Sequence, residues 1–428
     1  MPARTTNDDP TAVVTATWRA ESARLVGALT RMTRDVELAE DLAQDALVAA
    51  LEQWPVRGVP DNPGAWLMTT AKRRGVDHVR RAEVHRRKVA DLGRDASREE
   101  ATVRDLDDQV DHIEDDVLRL VFLSCHPVLT PESRAALTLR LVGGLTTAEI
   151  ARGFLTSEAT MGQRISRAKR TLSQAAAAFE LPTGQERTAR LDDVMAVVYL
   201  IFNEGYTATS GADWMRTDLA DEATRLARML ADLAPDEPEV HGLQALLELQ
   251  GSRAAARLDD DGAPVLLEAQ DRSRWDQLRI RRGLAALRRA EDLAARGVPV
   301  GRYVLQASIA AQHAVAARPE DTDWRRIAAL YDVLADAAPG AVVEVNRAVA
   351  HGRAHGPDAG LAVLDAVGDS LSGSPLVPSV GGDLLQRLGR YAEAAEAFAA
   401  AATLTRNEGE RSVLQQRAEA CRARAEPT

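Results

Sequence analysis

LTTAEIARGFLTSEATMGQRISRAKRTL, residues 145–172, is the stretch on which the reading of this chain turns. Thr146 and Glu149 stand three residues apart at the head of an apolar run. Their hydroxyl and carboxylate can satisfy each other's free amides at a helix start, the pattern of a capping box. Ile150, Ala151 and Phe154 give that short helix an apolar face. Leu155 and Thr156 make a tight turn, and Ser157 can cap a second helix. The second helix would carry Ile165 and Ala168 inward, with Gln163, Arg164, Arg167, Lys169 and Arg170 outward. Two helices, a short turn and a basic second helix are what a helix-turn-helix needs to enter a major groove. The plainer alternative is a basic solvated helix in a bundle. The coincidence of capping, turn and charge weighs against it.

Working outward, the charge of the 428-residue chain is sorted by segment. The net of −11 argues at first against nucleic acid, which is usually met by a basic footprint. Residues 181–428 hold −9 of it, and residues 1–180 only −2. Within the first part, Trp66–Lys88 carries +6, Asp91–Asp116 carries −8 and Arg134–Arg170 carries +5. Two basic segments flanking an acidic one is a distribution that the average hides. Aromatics are 4% of residues, against abundant Ala, Leu and Arg, and this favours helices throughout.

From Val36 to Trp54, Ala39, Leu42, Ala43, Ala46, Leu47, Ala50, Leu51 and Trp54 recur at three- and four-residue steps, which predicts an amphipathic helix ended by Pro55. PVRGVPDNPG reads as a loop. Asp61 or Asn62, with Pro63, then starts a helix from Gly64 to about Lys88. In it Trp66, Leu67, Thr70 and Val76 form a packing stripe ringed by Lys72, Arg73, Arg74, Arg80 and Arg81. Such cations give phosphate affinity and an exposed aromatic can stack on an unpaired base, although Trp66 as a core residue is the stronger reading. Residues 91–116 read as a flexible acidic linker, and helices resume at Val117. Beyond LPTGQ (181–185) the chain reads as consecutive helices broken at 234–238, 296–301, 338–340 and 372–378. Gly389, Tyr391, Ala394, Phe398 and Ala401 fit the second half of a tetratricopeptide unit, in which small residues admit a neighbouring helix and aromatics fill the gap.

The order of an acidic amphipathic helix (AEDLAQDALVAALEQW), a Pro-rich loop, a basic helix (WLMTTAKRRGVDHVRR), an acidic linker and a helix-turn-helix resembles the extracytoplasmic-function sigma factors of the σ70 family over about residues 11–178. VVYLIFNEGYTATSG (197–211), LDDDGAPVLLEAQDRSRWD (258–276) and DTDWRRIAALYDVL (321–334) resemble the tetratricopeptide-like extension fused to one group of these factors. The resemblance implies an all-α fold. It comprises a first sigma domain over 11–90, the linker over 91–116, a second sigma domain with the helix-turn-helix over 117–180 and a helical extension over 186–428. It further implies that Asp41, Leu42, Gln44, Asp45 and Leu47 dock on core RNA polymerase, through the β′ clamp, with the β subunit also in contact. The loop 55–63 would capture a flipped −10 base, at an extrusion cost of a few kcal/mol. Trp66, Lys72, Arg73, Arg74, Arg80 and Arg81 would meet −10 DNA. Many relatives carry Asn where this chain has Arg73, a departure at a reader position. Thr160, Gln163, Arg164 and Arg167 would face the −35 groove, with Lys169 and Arg170 on phosphates. The linker would follow the nascent-RNA path; a soluble tether is the alternative. The extension would regulate or complete the factor, by taking a regulatory protein or ligand.

The other candidates for chemistry are weaker. Cys125-His126 lacks a second pair at metal-ligand spacing and reads as a turn before Pro127. Asp259-Asp260-Asp261-Gly262 departs from a calcium loop at Arg257 and reads as a turn. The expectation is therefore a cytoplasmic, non-enzymatic protein with no cofactor, metal or membrane partner. Two alternatives are kept: a helix-turn-helix regulator with a helical sensor domain acting without polymerase, and an enzyme using residues 197–275.

Overall fold

Small residues at helical spacing let neighbouring helices approach closely, and the fold follows from that. The computed structural model describes residues 10–90, 113–154, 156–206, 217–259, 265–367, 371, 373–405 and 408–425. Its α-helices are α1 (Pro10–Thr33), α2 (Val36–Arg57), α3 (Pro63–Ala90), α4 (Ile113–Ser124), α5 (Pro131–Leu141), α6 (Thr147–Gly153), α7 (Glu158–Gln174), α8 (Gly184–Tyr206), α9 (Thr217–Leu233), α10 (Pro238–Gly251), α11 (Gln277–Ala295), α12 (Arg302–Val315), α13 (Trp324–Ala337), α14 (Ala341–Ala354), α15 (Pro357–Asp365), α16 (Leu376–Arg387), α17 (Tyr391–Leu404) and α18 (Glu408–Ala425). The described residues contain no strand, in line with the all-α expectation, and no helix long and apolar enough to cross a membrane. Two compact units divide the chain, residues 1–200 and 201–428, with the division inside α8.

In the first unit α1 packs on α2, α3 and α4. Asp35 caps α2, its Oδ1 accepting from Glu37 N at 2.9 Å and Leu38 N at 3.2 Å. The core between these helices holds Leu25, Leu29, Ala39, Ala43, Ala46, Ala50, Trp54 and Leu67. Pro55 does not end α2. It sits in the last turn, where its missing N–H forfeits a single bond, and the helix closes three residues later. Gly58, at φ +87°, donates back to Trp54 O at 3.0 Å. The next helix begins as the sequence suggests, with Asn62 Oδ1 accepting from Ala65 N at 3.1 Å and Pro63 at the first helical position.

The boundary expected at Val117 moves. α4 starts at Ile113, and Asp116, counted in the acidic linker, is fully buried. It is held by Arg31 of α1 at 3.1 Å and Arg119 at 2.9 Å, so its charge is compensated inside the unit. The linker residues 91–112 lie outside the described residues, as do the 207–216 and 260–264 parts of the quoted stretches.

The second unit is a run of helices packed on their sequence neighbours, from α9 on α10 to α17 on α18. The turns expected at 234–238, 296–301 and 338–340 fall between helices. Pro378 instead lies in the first turn of α16, where its missing donor costs nothing. Gly389, at φ +76°, closes α16. Ala394, Phe398 and Ala401 then bury against Leu414, Ala418 and Cys421. A side chain at Gly382 would meet the Phe398 ring at 2.7 Å, which is why a glycine stands there.

Candidate nucleic-acid interface

The helix-turn-helix is built by local hydrogen bonds. Thr146 Oγ1 accepts from Glu149 N at 3.2 Å, and Glu149 Oε2 accepts from Thr146 N at 2.8 Å, closing the capping box of α6. Burial tends to raise the Glu149 carboxyl. The bonds from Thr146 and from Arg19 outweigh it and hold the group below the usual carboxylate range. Ser157 Oγ accepts from Thr160 N at 3.1 Å and caps α7. Leu155 of the intervening turn lies outside the described residues. Met161, Ile165, Ala168 and Leu172 of α7 are buried. Thr146→Ala removes one side of the box and is expected to lower the unfolding free energy by about 1 kcal/mol in urea titration, with the helix-turn-helix otherwise retained.

On α7, Thr160, Gln163, Arg167 and Arg170 are exposed and Arg164 is half-buried. Lys169 is turned the other way. Its ammonium pairs with Glu40 of α2 and its side chain keeps only 12% of its exposure. The same carboxylate takes Arg140 Nε at 2.6 Å and Gln44 Nε2 at 2.6 Å. Glu40 itself is 3% exposed.

On α2, Asp41 and Asp45 are exposed, Gln44 and Leu47 are half-buried and Leu42 faces the core at 5% exposure. Two residues that periodicity did not single out complete the outer face: Val48, 51% exposed, and Leu51, 41% exposed. Leu51 belongs to the predicted apolar stripe, yet it lies on the flank that α1 and α3 do not cover. Leu47, Val48 and Leu51 line a cleft of about 770 Å³ that also takes in Val14, Arg152 and Glu158. The acidic and apolar residues thus form one continuous surface.

At the end of α2, Gln53, Trp54, Arg57, Val59, Asp61 and Trp66 line a polar hollow of about 350 Å³ in the loop after the helix. Trp66 is half-buried and meets the buried Trp54 edge to face, ring centroids 5.5 Å apart at 72°. Core packing and a ring at the rim are therefore compatible roles. Lys72 is half-buried and Arg73 exposed, while Arg74 pairs with Asp45 at 3.2 Å. The side chains of Arg80 and Arg81 lie outside the described residues. Cys125 is buried beside Thr138, its thiol pushed up to about 11 by burial, as fits a packing residue.

Comparison with known proteins agrees with this layout. Residues 18–84 match Sigma-70 region 2 and residues 119–172 match Sigma-70 region 4; residues 190–291 match a family of unknown function, DUF6596. An uncharacterized protein of Rhizobium meliloti (strain 1021) is 44% identical over 393 residues, 91% of each chain. The "Probable ECF RNA polymerase sigma factor SigI" of Mycobacterium tuberculosis (strain ATCC 25618 / H37Rv) is 30% identical over 177 residues, 41% of this chain and 59% of that one. The ECF RNA polymerase sigma factor SigK of Mycobacterium sp. (strain KMS) is 30% identical over 150 residues, 33% of this chain and 72% of that one. With both sigma regions in order and a full-length relative of matched identity, the chain belongs to the extracytoplasmic-function branch of the σ70 family of RNA polymerase sigma factors.

Proposed function

We propose that this sigma factor divides its work among three surfaces. The outer face of α2, with Asp41, Gln44, Asp45, Leu47, Val48 and Leu51, takes core RNA polymerase. The hollow after α2 and the basic side of α3, with Trp66, Lys72, Arg73 and Arg74, take melted −10 DNA. The exposed face of α7, with Thr160, Gln163, Arg164, Arg167 and Arg170, reads the −35 element. The observation that carries the reading is the run along α2 of exposed carboxylates and apolar side chains into a tryptophan-lined hollow. Carboxylates steer a basic partner and the apolar residues give the contact its burial, while a polar hollow beside an aromatic ring can receive an extruded base. The mechanism is recognition and strand opening, with no covalent step.

Run-off transcription with purified core polymerase on DNA from upstream of the chain's own coding region tests it. A discrete promoter-directed transcript is expected, and its absence over a range of upstream templates counts against the reading. The second unit is assigned a regulatory role on the strength of its stacked helices, which present extended surfaces to partners. Removing residues 201–428 is then expected to change transcript yield or promoter choice; unchanged output and polymerase affinity would remove that role.

A further inference from the structure

We propose that Glu40 is an intramolecular latch: a carboxylate on the polymerase-docking helix that occupies Lys169 and Arg140 of the helix-turn-helix module, so that polymerase and −35 DNA bind with positive coupling. The inference rests on the docking and −35 roles given to α2 and α7 above. Glu40 neighbours Asp41 on α2, and its oxygens face the Lys169 ammonium and, at 2.6 Å, Arg140 Nε. A lysine assigned to a DNA phosphate is thus neutralised by a carboxylate of the same chain. Buried ion pairs of this kind gain little overall, but removing one partner strands the others, which suits a switch better than a brace.

Further contacts close the same junction. Trp18 Nε1 of α1 donates to Gly144 O at 3.0 Å, Arg19 pairs with Glu149 at 2.8 Å, and Arg31 pairs with Asp116. Gly27 of α1 lies so near α4 that a side chain there would meet Asp116 O at 3.0 Å. Gly144, at φ +70°, similarly abuts Ser22. The cleft of about 770 Å³ places Leu47, Val48 and Leu51 opposite Ala148, Glu149 and Arg152. A partner seated on α2 therefore competes with α6 for space and with Arg140 and Lys169 for charge. Displacing the module frees Lys169 for phosphate. By linkage, DNA that captures Lys169 favours polymerase binding in equal measure.

Two experiments on the full chain test the latch. The first follows binding of a fluorescent random-sequence DNA duplex to the free protein by anisotropy across a salt series. Glu40→Gln keeps the shape and removes the charge; Glu37→Gln, an exposed carboxylate on the same helix, matches its change in net charge. Glu40→Gln is expected to bind roughly threefold tighter than Glu37→Gln at 0.1 M salt, with a log–log salt slope steeper by about 0.9 for one added phosphate contact. Equal affinities and slopes overturn the latch.

The second is a lock. Gly27→Cys with Asp116→Cys brings two side chains together at a Cβ separation near 3.3 Å, close to disulfide geometry, while native Cys125 and Cys421 are buried. The oxidised protein is expected to lose promoter-directed transcription by at least about tenfold and to regain it on reduction, as for any step needing the junction to open. Equal activity in both states, or failure of the bond to form, overturns the closed arrangement. Wild-type protein that supports no transcript with core polymerase defeats the sigma assignments of α2 and α7 and leaves the DNA-binding comparison to judge the ion pair alone.

Discussion

Asp41→Lys combined with Val48→Lys is expected to weaken binding to core RNA polymerase at least tenfold, roughly, while leaving the melting temperature within about two degrees of wild type. Both side chains are exposed in the free protein and neither appears in the core around Leu25, Leu29 and Ala43, so the fold has little to lose. Binding has more to lose. Val48 is half-exposed, and burying the rest of it is worth about 1 kcal/mol, which two lysines replace with the desolvation of two ammonium groups. Reversal at Asp41 adds repulsion from a basic partner, and 1.4 kcal/mol is already a factor of ten. Titration of labelled core polymerase against each variant, beside a thermal melt, checks both halves. Unchanged affinity in a folded double variant would move the chain toward a helix-turn-helix regulator that acts without docking on polymerase through α2.

Such a test has to include Val48, which shows where sequence reading stops. The capping box at Thr146 and Glu149 and the caps at Ser157 and Asn62 are bonds between residues about three apart, and they were legible because their partners are neighbours in sequence. The pairing of Phe398 with a small residue was legible in kind, although its partner Gly382 was not named. Periodicity on α2 located an apolar side but not its edges. The close approach of α1 and α3 is made on alanines, so Leu51 is left out in solvent and Glu40 is drawn in. Glu40 was findable as a charge on the stripe, four residues after Val36 and three before Ala43. Its partners, 100 and 129 residues downstream, were not. Asp116 is the same case: one carboxylate in an acidic run looks like any other until Arg31 is brought against it.

His313 in α12 gives the second unit a stability that fails in mild acid. Burial is the main reason its pKa is lowered to about 4, and the charges of Arg253 and Arg272 add to it. The Trp324 ring stands edge-on at 5.3 Å, and Arg272 bonds the carbonyls of His313 and Ala316 at 2.9 and 2.6 Å, so the imidazole is enclosed by cations, carbonyls and an aromatic face. Above pH 6.5 the ring is neutral in both folded and unfolded chains and the native environment costs nothing. As the pH falls below 6.5 the unfolded chain takes up a proton that the folded chain refuses until about pH 4, so stability is lost across that window and no further below it. The gap corresponds to about 3 kcal/mol in full, and to about 2 kcal/mol between pH 7.5 and pH 5. Urea unfolding of the intact protein, followed at Trp324 and the other tryptophans, is expected to show that loss. In His313→Gln, which cannot titrate, the pH dependence should flatten by the same amount whatever the substitution does to stability at neutral pH. Parallel curves for the two proteins from pH 7.5 to pH 5 would mean that His313 is free to take its proton in the folded state.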